Sequence, residues 1–208
     1  MPINYAVRAE VIDIRTDNPQ PTDAFLVDTN IWFWVTYTRA SSAPTPPRSS
    51  QLASYPGYVG KCLAAKSRLY RCGLSLAELA HLIEKTEREI FEASSGAQVG
   101  TKEFRLNQTT ERASVVAEVQ SAWGQVKTLA STLDVTVDDP TTDAALTRFQ
   151  SQLLDGYDLF ILEALSRAGF AQVLTDDGDF CSVPGIHVFT ANSNVITAAT
   201  NQGKLVRR

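Results

Sequence analysis

The chain has 208 residues, of which 44% are hydrophobic and 20% charged, and its formal net charge is -4. These values are typical of a globular chain with an ordinary core, and they exclude a protein that attracts polyanions over its whole surface. No apolar run approaches the ~18 residues of a membrane span, and the first residues lack an export pattern, so we expect no membrane partner and a cytoplasmic location. Three scattered cysteines predict neither a disulfide framework nor a zinc site.

The first half of the chain shows alternating strand and helix signals. Residues 5–14 are rich in strand formers, and residues 25–27 form a short, wholly apolar run typical of a buried strand. A helix is expected directly after Asp28, because apolar residues continue there. The segments predicted next are a Pro/Ser-rich loop over 39–51, a helix over 56–70 and a helix over 75–93.

The second half continues this alternation. Residues 94–104 are expected to be an exposed loop, and apolar residues recurring every three or four positions predict a long amphipathic helix over 108–132. The segments predicted next are a strand over 133–137, helices over 141–154 and 157–168, strands over 171–175 and 187–190, and a last helix capped by Asn192 or Ser193. Strands that alternate with helices predict an α/β fold with a mainly parallel sheet. We expect a single domain over 1–208, with insertions at 39–55 and 94–132.

Four acidic residues follow strands or begin helices. Asp28 ends the apolar strand and Asp177 follows the strand over 171–175, while Glu78 and Asp158 lie in the first turns of helices. In a parallel sheet these positions meet at the carboxyl ends of the strands. Two carboxylates at ~4 Å repel by ~4 kcal/mol at an effective dielectric of ~20. A divalent cation removes this conflict, and carboxylate oxygen suits Mg²⁺ or Mn²⁺.

Four motifs, in this order, are FLVDTN, LSLAELAHLI, DGYDLFILEALSRAG and VLTDDGDF. Together they resemble the acidic motifs of the PIN-domain family of metal-dependent nucleases. The resemblance implies a three-layer α/β/α fold, to which the residues before 24 add an extra strand. It also implies a set of site residues: Asp28, Glu78, Asp158 and Asp177 as catalytic residues, Asp28, Asp158, Asp177 and Asp179 as metal ligands, and Asn30 and Thr175 as supporting residues.

This resemblance implies an endoribonuclease that uses Mg²⁺ or Mn²⁺ to hydrolyse RNA. Many members of the family are toxins that a small antitoxin protein silences, and many form homodimers, so an antitoxin and a second copy are expected partners. An RNA-processing nuclease and a non-catalytic binding module of the same fold remain alternatives. A phosphatase with a D-x-D-x-T motif is excluded, because Asn30 and Trp32 occupy the second and third positions of that motif.

Each acid also has a purely structural interpretation. Glu78 and Ser75 match an S-x-x-E capping box, in which the glutamate binds a backbone N–H. Asp158 could only complement a helix dipole after an N-cap at Asp155, and Asp177 could belong to a plain Asp-Gly turn. Asp28 is hardest to explain in this way, because a carboxylate beside so much apolar sequence needs a partner.

Other residues carry weaker signals. Lys61, Arg68 and Arg71 would form one cationic stripe for nucleic acid if they shared a helix, and Lys102, Arg105 and Arg112 would form another. His81 lies near the face of Glu78, whereas His187 is expected in the core or at a strand edge. The aromatic run Trp32, Phe33 and Trp34 could form a dimer face, although core packing is the favoured interpretation.

Overall fold

A seven-stranded sheet runs through residues 3–208, the part of the chain that the computed structural model describes. Its strand order is β4-β3-β2-β5-β6-β1-β7, and all neighbouring strands are parallel. The strands are β1 (Glu10–Asp13), β2 (Ala24–Val27), β3 (Arg68–Cys72), β4 (Ser131–Leu133), β5 (Gln172–Leu174), β6 (His187–Thr190) and β7 (Leu205–Val206).

Helices cover both faces of this sheet. In the described residues they are α1 (Thr29–Thr36), α2 (Ser49–Ala64), α3 (Ser75–Ser95), α4 (Thr101–Asn107), α5 (Thr109–Leu129), α6 (Asp139–Ser151), α7 (Gly156–Ala168) and α8 (Ser193–Asn201). One apolar core joins the sheet to α1, α2, α3 and α5, and a second joins its opposite face to α7 and α8, while α6 packs against α7. The predicted three-layer α/β/α architecture is confirmed.

Strand β2 lies inside this sandwich with all four residues buried. Phe25 and Val27 face the first core, whereas Leu26 faces the second, because successive strand residues point to opposite faces. A strand covered on both faces is apolar throughout, which explains its sequence. In the following helix, Trp32 and Phe33 are buried in the first core, so core packing and not a dimer face accounts for them.

The predicted helix over 56–70 is wrong in both bounds. Helix α2 begins at Ser49, where the Gln51 side chain accepts a hydrogen bond from the Arg48 N–H at 2.8 Å, and Pro56 lies inside it. The helix ends at Ala64, and Lys66 adopts a left-handed φ of 61° that turns the chain into β3. The predicted loop and insertion at 39–55 therefore contain the first turns of a core helix.

Two further segments differ from prediction. Residues 94–104 are not wholly an exposed loop, because α4 begins at Thr101 and Phe104 is fully buried against Val99 and Val115. Strand β4 ends at Leu133 and does not continue to 137. Helix α5 ends just before it, and the long helix predicted over 108–132 is otherwise confirmed.

The extra strand predicted near the start of the chain is confirmed as β1, which pairs with β6 and β7. Strand β7 was not predicted. Among the helices within residues 3–208, none has the length together with the apolar character that a bilayer crossing requires.

Candidate active site

The four predicted acids all lie at the carboxyl-terminal edge of the sheet. Asp28 follows β2, and its N–H donates to the Leu174 carbonyl at the end of β5 at 3.0 Å. Glu78 begins the helix after β3, and Asp158 begins the helix that leads into β5, whose own carboxyl end is followed by Asp177. Strand β3 lies on one side of β2, and β5 lies on the other side. Ligands of open α/β sheets bind at such a switch point.

A single hydroxyl group connects two of these acids. Thr175 is fully buried, and its Oγ1 donates to Asp28 Oδ2 at 2.7 Å while accepting from the Asp177 N–H at 2.8 Å. Burial raises the pKa of Asp28 to about 7, against the lowering effect of the Thr175 hydrogen bond, and the charges of Glu78 and Asp177 add to the rise. Thr175 therefore links the Asp28 carboxylate to the Asp177 backbone.

Asp158 is buried beside the other three carboxylates. Burial raises its pKa to about 9, and the charges of Asp28, Glu78 and Asp177 raise it further in that order. These groups can influence one another so strongly only because they share one poorly solvated region. Without a cation, Asp158 therefore carries a proton at neutral pH.

Glu78 does not form the capping box that its sequence allows. Ser75 Oγ and Glu78 Oε2 are both buried and lack a hydrogen-bond partner within residues 3–208. Burial raises the pKa of Glu78, and the charges of Asp155 and Asp177 add to this. The Thr29 hydroxyl lies near enough to Glu78 to oppose this rise in its pKa. Thr29 Oγ1 nevertheless makes no hydrogen bond of good geometry in the described chain. A buried carboxylate oxygen without a donor is costly, so it needs a ligand or water.

The loop after β5 places Asp177 in the acidic region and directs the Asp176 side chain toward α2. Asp177 Oδ1 accepts from the Asp179 N–H at 2.9 Å, a hydrogen bond that closes the Asp-Gly turn. Asp177 therefore belongs both to this turn and to the acidic region. Burial raises the pKa of Asp177, and Asp155 and Asp176 add to this. Asp176 points toward α2, where it accepts from the Tyr55 hydroxyl at 2.5 Å.

A close contact covers this loop from the other side. A Cβ at Gly178 would lie 2.0 Å from Cε1 of Tyr5, so only glycine allows the Tyr5 ring to pack there. Asp179 is more exposed than Asp177, and burial together with the charges of Asp177 and Asp155 raises its pKa. Asp179 therefore extends the acidic region at its rim.

The chemistry of this region fits a hard divalent cation. The donors are all carboxylate oxygens, one buried oxygen has no partner in the described chain, and neighbouring negative charges add to the effect of burial on the pKa values of Asp28 and Asp158. Within residues 3–208, however, no group of three or more His, Cys, Asp or Glu side chains forms a ready-made coordination shell. Thr175 links the Asp28 carboxylate to the Asp177 backbone, and the charges of Glu78 and Asp177 reach Asp28.

One predicted cationic stripe does not form. Lys61 lies near the end of α2 and Arg68 at the start of β3, both at the sheet edge opposite the acids. Arg71 lies within β3, with its guanidinium 4.8 Å from the ring centre of Trp123. The assumed helix over these residues is wrong, so they do not share a surface beside the site.

Two other predicted residues have local roles. Asn30 is half-buried in the first turn of α1 and lines a separate cavity of about 210 Å³. His187 lies at the start of β6, where its Nε2 is 3.0 Å from Glu10 Oε2 in the neighbouring strand. His187 therefore lies at a strand end, as expected, and away from the acids.

Sequence reasoning missed Asp155 as a member of the acidic region. Its charge contributes to the raised pKa values of Asp158, Glu78, Asp177 and Asp179. It was assigned only as an N-cap, yet its side chain caps no backbone N–H in the described part of the chain. The signal that could have found it is its position three residues before Asp158, at the same helix start.

Comparison with known proteins does not assign the chain to a class. No model of a known protein family matches it, and no curated protein matches it. The fold and the geometry of the acids are therefore the basis for a functional proposal.

Proposed function

We propose that this protein is a Mg²⁺- or Mn²⁺-dependent endonuclease that hydrolyses RNA. The observation that carries the proposal is that four carboxylates from four segments lie at the switch point of the sheet, where burial raises all four pKa values and the charges of Asp28, Glu78 and Asp177 add to the rise at Asp158. Such a cluster costs stability unless a cation binds it. The order of the four PIN-like motifs supports the choice of phosphodiester chemistry.

Each acid has a role that follows from its position. Asp28 and Asp177, joined through Thr175, would hold the ion, and Asp158 and Asp179 would complete its surroundings. When bound, the ion supplies a water of lowered pKa and stabilises negative charge on the phosphate. Glu78 would orient that water through its unpartnered Oε2. The fixed ends of β2 and β5 keep the main ligands in place before substrate arrives.

Cleavage of labelled single-stranded RNA in MnCl₂ tests the proposal, with the metal-induced thermal shift as a second measurement. Asp28→Asn is expected to lower the cleavage rate by at least ~100-fold and to remove most of the shift. Asp176→Asn is the matched control, because Asp176 lies one residue from the site but binds Tyr55. Equal rates and equal shifts in wild type and Asp28→Asn would contradict the proposal.

The identity of the cleaved RNA would distinguish a toxin from a processing nuclease. A toxin would cut a restricted set of cellular RNAs on expression and would be silenced by an antitoxin, whereas a processing nuclease would shorten a precursor. Sequencing RNA ends after brief expression of wild type and Asp28→Asn distinguishes these two cases. RNA binding without new ends would instead indicate a non-catalytic module.

A further inference from the structure

A cleft of about 720 Å³ begins at Glu78 and runs between α3 and α5. Glu78 and Tyr157, the residue before Asp158, both line it, so the cleft is continuous with the acidic region. Two small side chains, Ala77 and Ala80, form part of the α3 wall and leave the space open. Its volume is in the range of sites that hold a small organic ligand or part of a polymer.

The far end of the cleft is positively charged. The buried Glu84 accepts from Arg105 Nε at 2.7 Å and from Arg112 Nη1 at 3.3 Å. Two guanidinium groups around one carboxylate leave a net positive charge, and nearly half of each arginine side chain is exposed. Nη1 of Arg105 and Nη2 of Arg112 make no hydrogen bond to Glu84. Glu84 thus fixes two cations with donors left for an anion.

The walls between these two ends offer stacking surfaces. Tyr157 is 46% exposed and Val116 is 40% exposed, although both are large hydrophobic side chains. His81 and Gln120 add polar groups along the same cleft. Exposed aromatic and apolar surface beside cations is the combination that binds unstacked bases of a single strand.

The spacing of the two ends fits a short piece of such a strand. Glu78 and Glu84 lie on one helix, so their separation along its axis is about 9 Å at ~1.5 Å per residue. At the ~3.4 Å rise of a stacked duplex strand, roughly two to three nucleotides would cover that length, and an unstacked strand covers it with fewer. A phosphate at the arginines would therefore lie about one to three nucleotides from a phosphodiester at the acids.

We propose that the cleft between α3 and α5 binds single-stranded nucleic acid on one side of the scissile phosphate. Arg105 and Arg112 contact a backbone phosphate, and Tyr157 stacks on a base between that phosphate and the acidic site. This assignment rests on the proposed nuclease function for its scissile phosphate. Arg105 was a candidate contact on sequence grounds, whereas Tyr157 and the anchoring role of Glu84 follow from the structure alone.

Fluorescence anisotropy with a labelled single-stranded RNA of about ten nucleotides tests the cleft without cleavage when EDTA is present. We expect Tyr157→Ala to weaken binding by about tenfold, since one stacked base contributes ~1–3 kcal/mol. Tyr157→Phe should bind as wild type, because it keeps the ring. Duplex RNA of the same length should bind more weakly than the single strand.

The arginines have a separate readout in the salt dependence of binding. Arg105→Gln and Arg112→Gln should each lower the slope of log K against log salt by about 0.7, the value for one phosphate contact on a single strand. Arg68→Gln is the matched control, because Arg68 is exposed at the opposite sheet edge. Single-stranded DNA of the same sequence shows whether the sugar hydroxyl matters. Far-ultraviolet circular dichroism confirms that each variant is folded.

The possible outcomes separate this inference from the proposed function. Weakened binding by the cleft variants, with no cleavage by wild type in Mn²⁺, would support the cleft and contradict the nuclease. Cleavage by wild type with unchanged binding in Tyr157→Ala, Arg105→Gln and Arg112→Gln would contradict the cleft alone. Failure of wild type to bind the single strand would also overturn the cleft.

Discussion

Asp158 is buried beside three other carboxylates, and this placement lowers the stability of the metal-free protein. Its pKa is raised to about 9 from an ordinary value of 3.8, so the folded chain keeps a proton that the unfolded chain releases. The contribution of Asp158 to the free energy of unfolding therefore falls as pH rises between these two values. This cost is expected at a site shaped for a ligand and not for stability.

Asp158→Asn should therefore raise the melting temperature in EDTA. We expect almost no difference from wild type near pH 4 and a rise of several degrees near pH 8, since ~1 kcal/mol corresponds to about 2–4 °C in a chain of this size. Asp143→Asn is the control, because Asp143 is exposed on α6 and is not one of the charges that raise the pKa values of the clustered acids. A lower melting temperature for Asp158→Asn at pH 8 would contradict the account of the cluster.

At the scale of single residues, the sequence predicted the main acids but not their surroundings. Asp28 could be identified because a carboxylate after a wholly apolar strand has few structural uses. The sequence left the role of Glu78 open between a cap and a site residue, since both use the same S-x-x-E pattern. Only coordinates show that Ser75 and Glu78 make no such contact in the described chain.

At the scale of elements, α4 is held by a small core of its own. Phe104 is fully buried against Val99 and Val115, and its ring centre is 5.8 Å from that of Phe91. A helix of seven residues is unstable by itself, so its order depends on this packing. Through Arg105, the same helix forms the far end of the cleft.

Phe104→Ala should loosen α4 while leaving the sheet intact. The substitution is expected to cost about 3 kcal/mol or more. Hydrogen exchange measured by mass spectrometry should become faster over residues 97–107 and stay unchanged over β2 and β5. Leu106→Ala on the same helix is the control, because Leu106 is exposed and should change stability by less than ~0.5 kcal/mol. The same exchange rates in both variants would contradict this role of Phe104.

The element boundaries show where sequence patterns fail. The segment from Pro56 onward has helical spacing, yet the helix begins seven residues earlier and tolerates Pro56 inside. Strand β3 was missed because Lys66 makes the turn that glycine usually makes, since few residues other than glycine adopt a left-handed φ. This one error also placed Arg68 on the same helix as Lys61.

At the scale of the whole molecule, Arg208 fastens β7 and its neighbouring loop to the first core. Its guanidinium binds Asp17 at 2.8 Å and Asp23 at 2.7 Å and lies 4.6 Å from the ring centre of Phe189. The segment KLVRR, residues 204–208, is too short to show a strand or helix period of its own. Contacts with residues more than 180 positions away, such as Asp17 and Asp23, could not be read from that segment.

Arg208→Gln should lower stability at neutral pH by roughly 1–3 kcal/mol, since it leaves two buried carboxylates without their partner. Although burial acts to raise it, the pKa of Asp23 lies below its ordinary value of 3.8 because of Arg208. The stabilisation is thus present above that value and is lost as pH falls through the lower, folded-state pKa. The gap between Arg208→Gln and wild type in urea unfolding should therefore shrink toward about pH 2.

Arg207→Gln is the matched control for that measurement, because Arg207 is exposed. It should unfold as wild type does at both pH values. A gap for Arg208→Gln that widened in acid would contradict the assignment of the ion pairs.

The layers of the fold could be predicted from the sequence, whereas the order of its strands could not. Alternating strands and helices, and a β2 that is apolar on both faces, were sufficient for a parallel sheet between two helical layers. The strand order required pairing over long sequence distances, such as β2 with β5, which local patterns do not contain. The meeting of Asp28 and Asp177 depends on that pairing.

An anomalous difference map at the manganese absorption edge, from crystals grown in MnCl₂, measures the metal centre most directly. We predict one strong peak at the ends of β2 and β5, within about 2.0–2.3 Å of carboxylate oxygens from Asp28 and Asp177. The peak should disappear in Asp28→Asn. Crystals grown in saturating MnCl₂ that show no peak there, or that show manganese only elsewhere, would contradict the account.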